Sequence, residues 1–307
     1  MPKLSLSLLL TFVILMQKNF KVAGHVFGFI MPEGHSLWQQ LGQYAPFEVS
    51  GDEETLFTVE VVDSLPDLDM VKVYGGEEAP GEPQVLLYRA GEDWVYEMSI
   101  WAGHPVCGRM VSDSAFSKAK MLIINPKEAL FALNNAAMLM FAFSTAGLNT
   151  LEMHASVIAN GGKAYLFLAK SGTGKSTHSS LWLKNVPGSH LLNDDNPIVR
   201  VLEDGTVEAF GSPWSGKTPC YRNEHYPVGA FVQIRRCPEN KITPLSVFEA
   251  YALIFSSSSG FKADPSMADG LHSTFEKIAT TAHCYVLDCR PDDEAAMVCS
   301  NEVRKWK

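Results

Sequence analysis

Residues 164–177 read AYLFLAKSGTGKST, a short apolar run that ends in a glycine-rich loop. From Ala169 to Ser176 the order is alanine, four variable positions, then Gly-Lys-Ser, which spells a P-loop. Gly172 and Gly174 reach backbone conformations closed to other residues and let main-chain amides converge on phosphate oxygens. Lys175 supplies a point charge for β- and γ-phosphates, and the Ser176 hydroxyl suits a Mg²⁺ ion. Phosphate contacts are therefore expected from Ala169, Lys170, Ser171, Gly172, Thr173, Gly174, Lys175, Ser176 and Thr177, with ATP and Mg²⁺ as the implied ligands. A helix over 176–184 would turn the positive end of its dipole toward the phosphates.

A P-loop needs a second, acidic element to hold the metal or to activate an acceptor. Asp194-Asp195 follows the strand-like LLN and supplies it. Carboxylates at a strand end are natural partners for a Mg²⁺ carried by Ser176, and Asp194 is the metal-side candidate. An isolated Asp-Asp pair would read as a solvated turn; its place after the P-loop favours the functional reading. His154, on the strand before the loop, reads on spacing alone as a buried strand histidine.

The elements that must position these residues form a mixed α/β pattern. Up to residue 124 the chain alternates short β-like stretches (FKVAGHVFGFI, TLFTVEVVD, PQVLLYRA, WVYEMSIWAG, AKMLIIN) with acidic and Gly/Pro-rich connectors. This predicts a β-rich N-terminal lobe over 1–124 and a P-loop domain over 125–307. The second unit opens at Asn125-Pro126 with an apolar helix ending near Gly147, whose Met and Phe residues read as core. Then come the strand EMHASVIAN, the strand AYLFLA, the P-loop helix, and strands through HLLNDDNPIVRVLEDGTVEAF with a hairpin at Asp204-Gly205. A strand (VGAFVQIRR), two helices, a strand (CYVLDCR) and a terminal helix complete the order. Strands outnumber crossover helices, which excludes a simple doubly wound sheet.

Bulk properties narrow the partners. A net charge of −9 without any Lys/Arg run argues against nucleic acid. The six cysteines show neither C-x-x-C nor a zinc-like spacing and read as reduced thiols, hence a cytoplasmic protein. The apolar stretch Leu4–Met16 is short for a bilayer span, and no membrane association is expected. It reads as an over-long start preceding Met16, as a terminal element packed on the core, or as an export signal. Oligomerisation is left open.

In the order His154, Gly161-Gly162, AYLFLA, KSGTGKST and LLNDD, the chain resembles HPr kinase/phosphorylase over about Glu152 to Val199. The catalytic domain of that family shares a fold with ATP-dependent phosphoenolpyruvate carboxykinase. The resemblance implies a phosphoenolpyruvate carboxykinase-like P-loop kinase domain in which Asp195 is the proton acceptor and His154 belongs to the active site. It further implies Glu208, in VEAFG, as a Mg²⁺ ligand. The family's long C-terminal signature rich in Arg, Gly and Asn has no counterpart here, so the acceptor need not be HPr. It is expected to be a hydroxyl, of serine type, on a small molecule, peptide or protein. Ser212, Ser215, Gly216 and Lys217 form either a second anion loop or an exposed polar turn. Two further readings stand beside the kinase. One is a carboxykinase-type lyase drawing on Arg222, Arg235 or Arg236, and the other is a nucleotide-binding module without turnover.

On the P-loop reading, Lys175→Ala is expected to abolish measurable Mg-ATP affinity while leaving the fold intact. Calorimetry showing equal ATP binding in both proteins would refute it.

Overall fold

The computed structural model describes residues 13–51, 53–75, 83–216 and 218–305. Apart from Val13 to Met16, the apolar N-terminal stretch lies outside them, as does Lys217. In chain order the first sheet contains β1 (Leu15–Val22), β2 (His25–Pro32), β3 (Glu48–Val49), β4 (Phe57–Val62), β5 (Val71–Tyr74), β6 (Gln84–Ala90), β7 (Asp93–Ser99), β8 (Gly108–Ser112) and β9 (Lys118–Ile123). Its spatial order is β3-β1-β2-β4-β9-β8-β7-β6-β5. The β2–β4 and β4–β9 pairs are parallel and the others antiparallel, so the sheet is mixed.

The run FKVAGHVFGFI is not one strand but belongs to a tight hairpin, β1–β2. Ala23 and Gly24 both adopt positive φ (50° and 82°), as a two-residue turn of this hand requires. A kinked 3-10 run over Ser36–Phe47, absent from the sequence reading, carries Tyr44 into the core. Strands β5 and β8 were likewise not anticipated; β8 opens on Gly108, a weak strand former by propensity.

The second sheet contains β10 (Thr150–Glu152), β11 (Ala155–Asn160), β12 (Lys163–Leu168), β13 (His190–Asp195), β14 (Ile198–Val201), β15 (Val207–Phe210), β16 (His225–Arg236), β17 (Lys241–Pro244) and β18 (Cys284–Cys289). The expected strand EMHASVIAN is split at Met153-His154, where the chain passes from β10 to β11. Long β16 joins the two parts of this sheet. Its first residues pair antiparallel with β15, and its later ones run parallel to β12 and β18. Helices α1 (Ala129–Ser144), α2 (Lys175–Asn185), α3 (Val247–Ser257), α4 (Pro265–Thr281) and α5 (Asp293–Val303) complete the fold. It is a mixed α/β protein with two large mixed sheets. No helix among the described residues is long and apolar enough to cross a membrane.

Strand β12 shows why AYLFLA is apolar on both faces. Ala164, Leu166 and Leu168 point into the main core, while Tyr165 and Phe167 point the other way, into a second core with Trp182 of α2 and Cys299 of α5. A strand covered on both sides reads as a continuous apolar run because its period-two alternation has no solvent face.

The main core runs without a break across residue 125. Helix α1 packs on β4, β8 and β9 and also on β10, and Gly108 of β8 lies so near it that an added Cβ would meet the Ala132 methyl at 2.8 Å. Polar ties cross as well. Arg200 Nη1 donates to the Ala23 carbonyl at 2.7 Å, and His25 Nε2 meets Thr150 Oγ1 at 2.9 Å. Trp214 is the largest tie. Its indole N–H donates to Tyr44 Oη at 3.0 Å, and its ring stacks on Phe27 and meets Phe141 edge-on. All six thiols are free.

Trp214→Ala is expected to destabilise the protein by about 3–5 kcal/mol, the usual loss for a large buried aromatic. Because the core is shared, both sheets should melt together in one transition at lower temperature. Two separate transitions in calorimetry would contradict a common core.

Candidate functional site

Sheet register brings the candidate residues together. In β11, Ala155 lies opposite Leu168 of β12 on one side and opposite Asp195 of β13 on the other. The residue before β11, the residue after β12 and the last residues of β13 therefore share one sheet edge. These are His154, Ala169 and Asp194-Asp195.

The loop leaves β12 and turns into α2. Gly172 has φ +70° and Gly174 φ +132°, conformations that strain any residue with a Cβ. Open space surrounds both, so the glycines are needed for backbone shape rather than for room. Gly174 caps α2 with no side-chain hydrogen bond, and no acidic residue occupies the first turn. The leading amides are thus not satisfied by a capping side chain, as suits an anion. Arg236, at the end of β16, braces the loop from behind by donating to the carbonyls of Thr173 (2.9 Å) and Gly172.

Lys175 is buried, and its Nζ donates to the Ala169 carbonyl at 3.2 Å and reaches His154 Nε2 at 2.9 Å. The same imidazole nitrogen lies 3.3 Å from Asp195 Oδ1. One ring nitrogen cannot serve both neighbours in one protonation state. It accepts from the Lys175 ammonium when bare and donates to Asp195 when protonated. His154 is therefore not a satisfied core histidine: its side chain is 43% exposed and sits between the lysine and the carboxylate.

The two aspartates differ. Asp194 is 5% exposed, and its Oδ1 accepts from Ser176 Oγ at 3.0 Å. Asp195 has a side chain 38% exposed beside His154. A serine hydroxyl beside one buried carboxylate fits a Mg²⁺ that completes its shell with phosphate oxygens and water. Among the described residues no cluster of three or more His, Cys, Asp or Glu forms a metal cage of its own. Glu208 is not brought to this place. It sits on β15 opposite Arg200, pairs with His225 Nδ1 at 2.8 Å, and is not among the residues that line the aspartate cleft.

The segment 211–216 fixes the aspartates from outside. Asn193 donates to Ser212 Oγ and to the Trp214 carbonyl, both at 3.0 Å, and the Gly216 amide donates to the Asp194 carbonyl at 2.7 Å. Ser212 is fully buried and bonded to the Asn196 carbonyl, so it is a structural pin and not an anion contact. Ser215 bonds to the Thr218 carbonyl. An added Cβ on Gly216 would come within 2.9 Å of the Asp194 carbonyl and 3.2 Å of Asp195 Cβ.

Two clefts meet at the loop and share Gly172, Gly174 and Thr177. One, of about 730 Å³, contains His154, Lys175, Ser176, Asp194 and Asp195. The other, of about 670 Å³, lies between α2 and the ends of β16 and β18, with Leu181, Ile234, Pro238 and Pro291 in its walls. Its His178 imidazole is neutral near pH 7, because burial pushes its pKa down to about 4, and it accepts from the Trp182 indole at 3.1 Å. The three arginines considered for a carboxylate substrate have other partners: Arg222 bonds Glu224, Arg235 bonds Asp288, and Arg236 holds the loop.

Several cleft residues were missed by sequence reasoning. Asn135 and Met138 come from α1, which reads as core throughout; the polar pair Asn134-Asn135 inside an apolar helix was the available signal. Asn134 accepts from Tyr44 Oη at 2.8 Å, while Asn135 and Met138 line the cleft with Asn196 and Ser259. Glu152 was also missed. It is 4% exposed, and burial, with the Asp195 charge nearby, pushes its pKa up to about 8. Scanned against models of known protein families, the sequence matches none, and a search of curated proteins finds no relative.

Glu152 gives a pH signature. The unfolded chain releases this proton near pH 4.5 and the folded chain near 8. Its contribution is thus fully present below about 4.5 and lost as pH rises through about 8. The stability of wild type relative to Glu152→Gln is expected to fall across that window. Melting curves whose separation stays constant from pH 5 to 8 would contradict the raised value. Gly216→Ala, in turn, should shift the aspartate pair and, on the P-loop expectation, weaken Mg-ATP binding by calorimetry more than it lowers the melting temperature.

Proposed function

We propose that the chain is a Mg²⁺- and ATP-dependent kinase that transfers the γ-phosphoryl group to a hydroxyl acceptor. The observation that carries this reading is the convergence of Lys175, Ser176, Asp194, Asp195 and His154 in one cleft at a sheet edge, beside a second, more apolar cleft. The resemblance to HPr kinase/phosphorylase and a phosphoenolpyruvate carboxykinase-like domain agrees with it.

Each group has a task. The apolar cleft beside α2 suits the nucleoside, and the loop amides with Lys175 suit the β- and γ-phosphates. Ser176 and Asp194 would hold Mg²⁺, which would supply charge neutralisation on the phosphates. The acceptor oxygen attacks the γ-phosphorus, the bond to the β-phosphate bridging oxygen breaks, and ADP leaves. Asp195, open to the cleft, takes the hydroxyl proton. His154 steadies the Asp195 carboxylate once Lys175 turns from its ring nitrogen to phosphate. Phosphoryl transfer is mainly positioning and electrostatics, so a small constellation suffices. The carboxykinase reading lacks a free arginine beside the aspartates, and a module without turnover would have no use for Asp195 on the acceptor side.

A screen of hydroxyl compounds and peptides with γ-labelled ATP tests the reading, with label appearing on an acceptor only in the presence of Mg²⁺. Asp195→Asn is expected to lower turnover about 10²–10⁴-fold, the usual worth of a positioned base, with Mg-ATP affinity nearly unchanged. Asp194→Asn should instead raise the Mg²⁺ requirement and weaken nucleotide binding. Near-full activity of Asp195→Asn with the true acceptor would eliminate the proposed base.

A further inference from the structure

A smaller hollow of about 180 Å³ adjoins the aspartate cleft, and the two share Asn135, Met138, Asn196 and Ser259. Val85 and Phe143 give it apolar walls, and Glu152 is the one ionisable residue among the described residues that line it. Glu152 Oε1 has a single long bond from Ser259 Oγ at 3.4 Å, and Oε2 is buried with no hydrogen-bond partner among the described residues. Glu152 is the last residue of β10, two positions before His154, where the chain crosses to β11.

A buried carboxyl group without a partner is costly, and a neutral side chain of the same size would avoid that cost. The surroundings select what could satisfy it. Burial keeps the Glu152 carboxyl protonated at neutral pH, Asp195 sets a negative charge nearby, and no cation among the described residues lines the hollow, while Lys262 of the adjoining loop is bonded to the Ser258 carbonyl and lies over the Phe255 ring. An anion would meet the Asp195 charge, and a neutral hydroxyl would leave that charge unbalanced and Glu152 a neutral acid, whereas a cation beside Glu152 favours its ionised form. An ammonium answers both. The volume is well below the ~300–1,000 Å³ of a drug-sized pocket, so only a small group enters.

We propose that the Glu152 hollow anchors the phosphoryl acceptor through a primary ammonium group, so that the acceptor is a hydroxyl-bearing amine with its amine at Glu152 and its hydroxyl at Asp195. This rests on the kinase reading above. The amine takes no part in the transfer: the hydroxyl oxygen gains the phosphoryl group, its proton goes to Asp195, and ADP departs. Two anchoring points at a fixed separation would select acceptors by the distance between amine and hydroxyl.

The test uses the full chain with linear amino alcohols from ethanolamine to aminohexanol and the diols of equal length. Calorimetry or saturation-transfer NMR follows their binding to wild type and Glu152→Gln, and Mg-ATP binding confirms that each protein is folded. Wild type is expected to prefer one or two amino alcohols over their diols about 10–100-fold, the worth of a charged hydrogen bond. Glu152→Gln should lose that preference and keep Mg-ATP affinity. Equal binding of amines and diols, or a preference that survives Glu152→Gln, overturns the ammonium subsite. Labelled phosphate passing to neutral hydroxyl compounds equally in both proteins overturns it too, while leaving the kinase reading intact. Amine preference in a protein that binds no Mg-ATP removes the kinase reading, and the acceptor assignment falls with it.

Discussion

Strand β11 is hydrogen-bonded on both sides, to β12 and to β13, and that double ladder fixes everything at the site. Ala155 is held opposite Leu168 and Asp195 at once. A slip of one residue in either ladder would turn each side chain of the moved strand to the other face. It would also carry the loop or the aspartates along the sheet edge by about 3.3 Å, the rise of one residue. Apolar packing on both faces of β11 and β12 opposes such a slip, because Tyr165 and Phe167 fit against Trp182 while Leu166 and Leu168 fit the opposite core.

Around this ladder the fold spends polar groups on position. Asn193 and Ser212, both fully buried, pin the segment 211–216 against the aspartates. Arg236 ties the P-loop to the end of β16, although its guanidinium is exposed. Trp214, in the pinned segment, reaches Tyr44 and Phe27 of the first sheet. The N-terminal sheet therefore supports the aspartate side of the cleft through a continuous chain of packed and bonded groups. Helix α1 gives the same support from the other direction, with Asn134 bonded to Tyr44 and Asn135 at the cleft.

Glu152 stands apart from that economy of satisfied groups. Nearly every other buried polar side chain near the site has a partner, whereas this carboxyl keeps one oxygen without a hydrogen bond. Such a group usually marks a place where function outweighs stability. The paired aspartates meet different environments. Asp194 turns inward to Ser176, and Asp195 lines the cleft with His154, next to the hollow that holds Glu152.

Local chemistry was legible in the chain without coordinates. The loop spelling, the apolar run before it, the Asp-Asp pair and the hairpin at Asp204-Gly205 all depend on residues close in sequence, whose backbone preferences and periodicity act locally. Tertiary structure decided the rest. Whether His154 is a core residue or a bridge between Lys175 and Asp195 depends on strand register, which is set by packing on both faces of a sheet. Glu208 leaves the site because β15 pairs with β14 and the start of β16, away from the aspartate end. The hairpin within FKVAGHVFGFI and the arrival of Asn135, Ser259 and Glu152 at the clefts are likewise long-range outcomes. A sequence shows which groups are able to do chemistry; only the contacts between distant strands and helices determine which of them meet.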